Sequence, residues 1–375
     1  MSVQRGICLL LIFATLLLGA CGSVAYYFQS IDGHMEVMRR SVPFDEVATT
    51  SGSNEALSRQ LKRVTEIRDF ASRELGLPDN RSYRLYADLG RPFVVWNVVA
   101  APELSIRPME SCFLFAGCVT YRGFYVEENA RNHANELAAK GLDTYVSGVP
   151  AYSTLGWFDD PVLSTFIHYP EADIARIIFH ELAHQVVYVR DDTQFNESFA
   201  VAVEQEGVRR WLAKRQNAES NQELLRWQLA RSRRVEVMAL LLQTRRTLEE
   251  VFASPMSDTE KRNAKQREFE RMAENYARLK NRWNGFSGYD RFFSTAANNA
   301  LLASVAVYSD LVPAFTRMID KHAGDMGAFY REVREIARLD KAARNRKLRA
   351  YEASSSKGWP KSTLDQHQEK AAAIN

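Results

Sequence analysis

The sequence predicts an α+β fold that is mostly α, with a small mixed sheet and one long helical hairpin. Three observations predict it. Short runs rich in Val, Tyr, Phe and Trp, separated by Gly and Pro, cluster between residues 82 and 149. From Pro170 onward the apolar spacing is almost wholly helical. Two long charged stretches, 223–253 and 258–283, are broken at Ser254-Pro255 and read as paired helices.

Taken in order, residues 54–75 place Leu57, Leu61, Val64, Phe70, Ala71 and Leu75 on one helical face, stopped by Gly76 and Pro78. Strands are expected at 82–87, 93–100, 119–125 and 144–149, with a helix at 127–140 ending on Gly141. Residues 151–161 are rich in turn formers. Pro170 suits the first turn of a helix running to about Tyr188, and a second helix starts near Asn196. Ser257 and Glu260 have the capping-box spacing that opens the second hairpin member. The apolar stretch 298–315 reads as one core helix, and the end beyond residue 353 lacks periodicity. The resulting plan is a signal at 1–20, an α+β part at 21–165, a helical part at 166–353 containing the hairpin 223–283, and a loose tail at 354–375.

Composition bounds the function. The 375 residues are 46% hydrophobic and 25% charged, which allows one large domain or two ordinary ones. Lys and Arg number 49 against 46 Asp and Glu, a net charge of +3, so nucleic acid is not an expected partner. Eleven per cent aromatic content excludes a disordered chain.

The N-terminus reads as an address. Arg5 precedes a 14-residue apolar run, Ile7 to Ala20, short for a membrane span but right for a secretory signal. An uncleaved anchor helix is the alternative, and either places the body outside the cytoplasm. Leu18-Gly19-Ala20-Cys21 resembles the bacterial lipobox, in which the Cys is lipidated and becomes the mature N-terminus. That resemblance implies a lipid anchor at Cys21 in the bacterial envelope, facing the periplasm. Gly22, in place of an Asp, favours the outer membrane. Of the four Cys, only Cys112 and Cys118 remain in the body, and an exported even pair is expected to form one disulfide.

The chemistry lies in His180-Glu181-Leu182-Ala183-His184, an HExxH motif inside the helix that follows Pro170. Positions i and i+4 share a face, so two imidazoles can hold one small cation, and zinc is the expected ion. Glu181 stands beside that site and can take a proton from the attacking water as general base. Catalytic zinc has three protein ligands. A third His six residues on is excluded by Arg190, so a carboxylate on the next helix is expected. Glu197 is the best placed; Glu204, two turns further, is either the ligand instead or a partner of one His. Asp191, Asp192 and Thr193 supply a turn and an N-cap between the two helices, and Glu206, like the two aspartates, is expected to cap or face water.

Asn196-Glu197-Ser198-Phe199-Ala200 resembles the glutamate helix of gluzincin peptidases, in which a sheet edge before the HExxH helix receives the substrate as an added strand. Residues 149–158 are the counterpart of that edge here, with Tyr152, Trp157 and Asp159 as candidate subsite residues. The lipobox, Cys112 and Cys118 followed by Tyr121-Arg122-Gly123, AYSTLGWFDDP, HELAHQ, FNESFA, and the segment from Asn298-Asn299-Ala300 to Val312-Pro313-Ala314-Phe315 together resemble the putative aminopeptidase lipoproteins of bacterial envelopes. The likeness covers nearly all of the mature chain. It implies a zincin-like core and a zinc peptidase with His180, His184 and Glu197 as ligands, Glu181 as base and a peptide as substrate. The GxMEN amine-binding motif of other zinc aminopeptidases is absent. Tyr308 is a candidate donor to the transition state, with core packing as its ordinary explanation. The competing reading is a non-catalytic envelope scaffold that keeps the fold and works through its hairpin.

Overall fold

A computed structural model describes residues 26–50, 55–113, 117–215, 218–293, 297–305 and 311–353. The signal segment, Cys21, Tyr308 and the tail beyond 353 lie outside the described residues. The chain is α+β and mostly helical, as expected. It opens with α1 (residues 26–39), which the apolar spacing had not marked. Then come β1 (Ser41–Pro43), α2 (Phe44–Thr50), α3 (Glu55–Leu75), β2 (Leu85–Ala87) and β3 (Val95–Pro102). A short hairpin, β4 (Ser111–Phe113) and β5 (Gly117–Val119), precedes β6 (Arg122–Phe124), α4 (Glu127–Ala138), β7 (Leu142–Val149) and β8 (Val162–Leu163). The helical half comprises α5 (Glu171–His184), α6 (Thr193–Arg215), α7 (Ala218–Ala253), α8 (Asp258–Arg282), α9 (Asn299–Val305), α10 (Val312–Lys321), α11 (Met326–Ala337) and α12 (Lys341–Ala353).

Among the described residues the strands form three small sheets. β1 pairs antiparallel with β2, which pairs parallel with β8; β3 lies between antiparallel β6 and β7; β4 and β5 pair alone. Cys112 and Cys118 face each other across that last pair and are disulfide-bonded. Alternation along β3 divides its burial. Trp96 and Val98 pack with Phe124 and the alanines of α4, while Val99 and Ala101 meet Ala300 and Ala303 of α9.

Two expectations need correction. The stretch 298–315 is not one helix: α9 ends at Val305, and α10 starts afresh after Leu311, with Pro313 in its first turn. Proline fits a first turn and disfavours a helix interior, so the new start is local chemistry. Residues 150–159 are a loop, not a sheet edge; the strand ends at Val149. Asp160, 2% exposed, accepts the Thr154 amide at 2.9 Å and folds the loop back on itself.

The hairpin of α7 and α8 is also more than a solvated face. Val237, Leu240, Leu241 and Leu248 of α7 bury against Met272, Tyr276 and Trp283. The Ser257–Glu260 capping box forms as expected. Lys265 of α8 reaches Asp143 at 2.6 Å and ties the hairpin to the sheet.

The main core gathers around α5 and α6, which run antiparallel. Pro170 caps α5, and Glu171 and Asp173 complement the positive end of its dipole. Ile174, Ile177, Ile178, Phe179 and Leu182 bury its inner face. Glu171 accepts from Trp211 near the far end of α6 at 2.7 Å, which fixes the relative slide of the two helices. Phe195 and Phe199 anchor α6 from behind against Phe315, and Phe199 also stacks on Phe329. Gly207 allows the close approach: a Cβ there would sit 2.6 Å from the Phe179 ring and 2.8 Å from Leu75. Gly207→Ala is therefore expected to lower stability by about 1–3 kcal/mol through overpacking, read from the midpoint of urea unfolding.

Candidate active site

The turn between α5 and α6 is built to hold one separation. Asn196 clamps Val189 with both atoms of its amide, accepting from its N–H and donating to its carbonyl, each at 2.8 Å. Asp191 turns the chain at φ +60°, and Asp192 accepts the Phe195 amide as the cap of α6. Asp192 does more than cap: its other oxygen takes two donors from the Arg344 guanidinium of α12, at 2.9 and 2.6 Å, in a fully buried pair.

That clamp brings three donor atoms together. His180 Nε2 lies 3.2 Å from His184 Nε2 and 3.3 Å from Glu197 Oε2, and His184 Nε2 lies 3.7 Å from Glu197 Oε1. The three residues form a group whose ligand atoms all lie within 4.8 Å of one another. Ligands held ~2.0–2.1 Å from an ion at tetrahedral angles stand about 3.4 Å apart, so the spacing fits a zinc ion. Two imidazole nitrogens facing each other at 3.2 Å with a carboxylate beside them also form a poor set of hydrogen bonds on their own. The group is not sealed. His180 and Glu197 retain 15% and 18% side-chain exposure, which leaves room for a further ligand from solvent.

Glu204 does not join the cluster as a second carboxylate. Its Oε2 lies 2.9 Å from His180 Nδ1, on the far side of the ring, and 3.7 Å from Arg176 one turn earlier on α5. That carboxylate on Nδ1 fixes the ring's orientation and leaves Nε2 directed at Glu197 and His184. Glu206, expected to cap or face water, instead pairs with Arg209 and Arg210.

The charges are interlocked. Burial pulls the His180 imidazole down, yet its hydrogen bonds to Glu197 and Glu204, which accept, outweigh it and hold the ring well above its usual range. Burial and the adjacent His180 charge together push His184 down to about 4. Burial opposes ionisation of Glu197, but its hydrogen bond to His180 wins and lowers it; Arg176 and His180 do the same for Glu204. Burial lifts Glu181 to about 7, with His180 acting against the shift and Glu197 and Asp160 adding to it.

Several residues around this cluster carried no sequence signal. Asn80 donates to Gln185 at 2.7 Å, and Gln185, immediately after His184, donates to Ser82 at 3.3 Å. The loop bearing these residues is held by Arg68, whose buried guanidinium donates to Pro78, Asn80 and Ser82 carbonyls and to the Ser72 hydroxyl. Tyr83, at the end of that loop, sits in the left-handed region at φ +63° and is 1% exposed. Its hydroxyl has no partner among the described residues, and after burial the Glu181 charge acts on it most strongly. Tyr121, from the sequence's Tyr121-Arg122-Gly123, is likewise raised by burial and then by Glu197. Of the candidate subsite residues, Trp157 projects into solvent, Asp159 pairs with Arg81 at 3.5 Å, and Tyr152 meets His34 at 2.7 Å. On β7, Asn298 donates to the Thr144 carbonyl and covers part of the free edge.

The pattern of the family described as "Putative aminopeptidase" matches residues 25–348. The chain belongs to this family. Its description implies a peptidase acting on peptide substrates. No curated protein and no solved structure matches the chain.

Removing the Arg344 partner tests the support beneath Glu197. Arg344→Met leaves the Asp192 carboxylate buried and alone, so stability is expected to fall by about 3–5 kcal/mol in chemical denaturation.

Proposed function

We propose that this chain is a zinc-dependent aminopeptidase anchored to a membrane of the bacterial envelope. The observation that carries the reading is the convergence of His180, His184 and Glu197 on one partly open point, with Glu181 next to a ligand in sequence. Those three side chains would hold the zinc. When bound, the ion supplies a Lewis acid that polarises the scissile carbonyl and makes water acidic enough to attack near neutral pH.

The rest is the work of the protein's own groups. Glu181 takes the proton from the attacking water and delivers it to the departing amine, so that one carboxylate serves both halves of the reaction. Glu204 fixes the His180 ring through Nδ1, and Arg176 keeps Glu204 ionised. Tyr83 and Tyr121 are buried phenols whose ionisation the nearby carboxylates oppose, so each stays protonated beside the centre. In this reading the Cys21 acyl group holds the enzyme at the membrane; among the described residues no helix is long and apolar enough to cross one.

Glu181→Gln is expected to reduce hydrolysis of short peptides by about 10²–10⁴-fold while the purified protein retains its zinc. Unchanged hydrolysis would overturn Glu181 as base. Glu197→Gln is expected to lose the metal, and Glu204→Gln to weaken zinc affinity by about 10–100-fold in a chelator competition. A mixed peptide library should yield products shortened only from the N-terminus. Internal cuts would reject the exopeptidase reading and leave the hydrolase reading intact.

A further inference from the structure

Helix α1 carries an apolar stripe that faces away from the protein. Phe28, Ile31 and Met35 are 69%, 60% and 42% exposed, and their spacing places them on one side of the helix. The opposite side is firmly seated. A Cβ on Gly33 would fall 2.1 Å from the Tyr125 ring, so the helix meets that residue with no space to spare. Gln29 donates to the Gly123 carbonyl at 3.2 Å and accepts from the Tyr125 amide at 3.3 Å. Held in this way, the stripe cannot roll inward to bury itself.

His34 joins the stripe to a second apolar group. Its ring lies 4.6 Å from the ring of Phe158, which is 48% exposed, and the neighbouring Trp157 is 84% exposed. Both sit on the loop whose tip, Leu155-Gly156, turns through left-handed φ values of 57° and 82°. Single exposed apolar side chains are ordinary, but five on two adjoining, well-fixed elements mark a surface that something covers.

The position of the stripe in the chain identifies what covers it. Cys21 precedes Tyr26 by five residues, a span of at most ~18 Å even when fully extended. We propose that Phe28, Ile31 and Met35 of α1, with Trp157 and Phe158, dock on the lipid bilayer itself. This rests on the reading of Cys21 as the anchor. Acyl chains at Cys21 would hold α1 beside the headgroups, where an amphipathic helix lies in the interfacial plane and Trp is favoured. Arg39 and Arg40 follow the stripe with side chains 61% and 48% exposed, in reach of lipid phosphates despite their pairing with Asp32 and Glu36. The docked loop also touches the catalytic centre: the space beside Gly156 is bounded by Gln185, the residue after His184.

The test reconstitutes the full chain in vesicles of phosphatidylethanolamine and phosphatidylglycerol containing brominated phosphatidylcholine. Tryptophan quenching is read, and the acyl group at Cys21 is measured by mass spectrometry on the same sample. Quenching is expected, is lost for the most part in Trp157→Tyr, and falls at least about threefold in the triple change Phe28→Ser, Ile31→Ser, Met35→Ser. The triple variant should keep its hydrolysis of a short soluble peptide, which shows that it folds. An acylated, vesicle-bound chain without Trp157 quenching, or with quenching untouched by the triple change, overturns docking while the anchor stands. Quenching by a chain that carries no acyl group supports docking and overturns the anchor. A chain with neither acyl group nor vesicle binding overturns both. Pairing of two copies in detergent, abolished by the triple change, overturns docking by assigning the stripe to a second copy.

Discussion

Two carboxylates held within hydrogen-bond distance of one imidazole, in surroundings largely closed to water, set the terms for the rest of the molecule. Glu197 and Glu204 approach His180 from opposite ring nitrogens, and their repulsion is tolerable only if positive charge lies between and around them. Arg176 supplies part of it from the preceding turn of α5. The remainder falls on His180 and His184, or on whatever cation the cluster receives. His180 is held toward protonation by the two carboxylates, and its neighbour His184, 3.2 Å away, is pressed away from it by burial and by the His180 charge.

Keeping that arrangement requires the turn between α5 and α6 to be stiff, because a shift of an ångström would separate Glu197 from both rings. The protein meets the requirement with side chain-to-backbone bonds from Asn196 and a buried ion pair between Asp192 and Arg344, more than 150 residues apart in sequence. Behind them, the Phe195, Phe199, Phe315 and Phe329 rings provide a rigid wall. Electrostatic demand at the centre is thus answered by packing and hydrogen bonding well outside it.

What could be read from the sequence followed from range. HExxH is legible because one helical turn fixes the relation between its two histidines. Glu197 is legible because only a short turn separates its helix from theirs. The capping box at Ser257 is likewise local. Glu204 stayed ambiguous between ligand and partner because spacing along α6 does not reveal which ring nitrogen it meets. Arg68, Arg344 and Asn80 gave no sign, since each acts across sequence distance through geometry that periodicity does not encode. Helix α1 gave no sign because it buries only Gly33 and Val37 fully, while Phe28, Ile31 and Met35 face outward, so its apolar spacing does not trace a core face.

Arg68 has one property that sets it apart from the other buried cations. Its guanidinium is bound through neutral oxygens, three of them main-chain carbonyls, and none of those bonds is to a carboxylate. Neutral acceptors of this kind do not titrate, and a guanidinium stays protonated at any acidity at which the fold survives. The brace that positions the loop from Asn80 to Tyr83 therefore keeps its grip through changes of acidity that would reorganise the histidines and glutamates beside it.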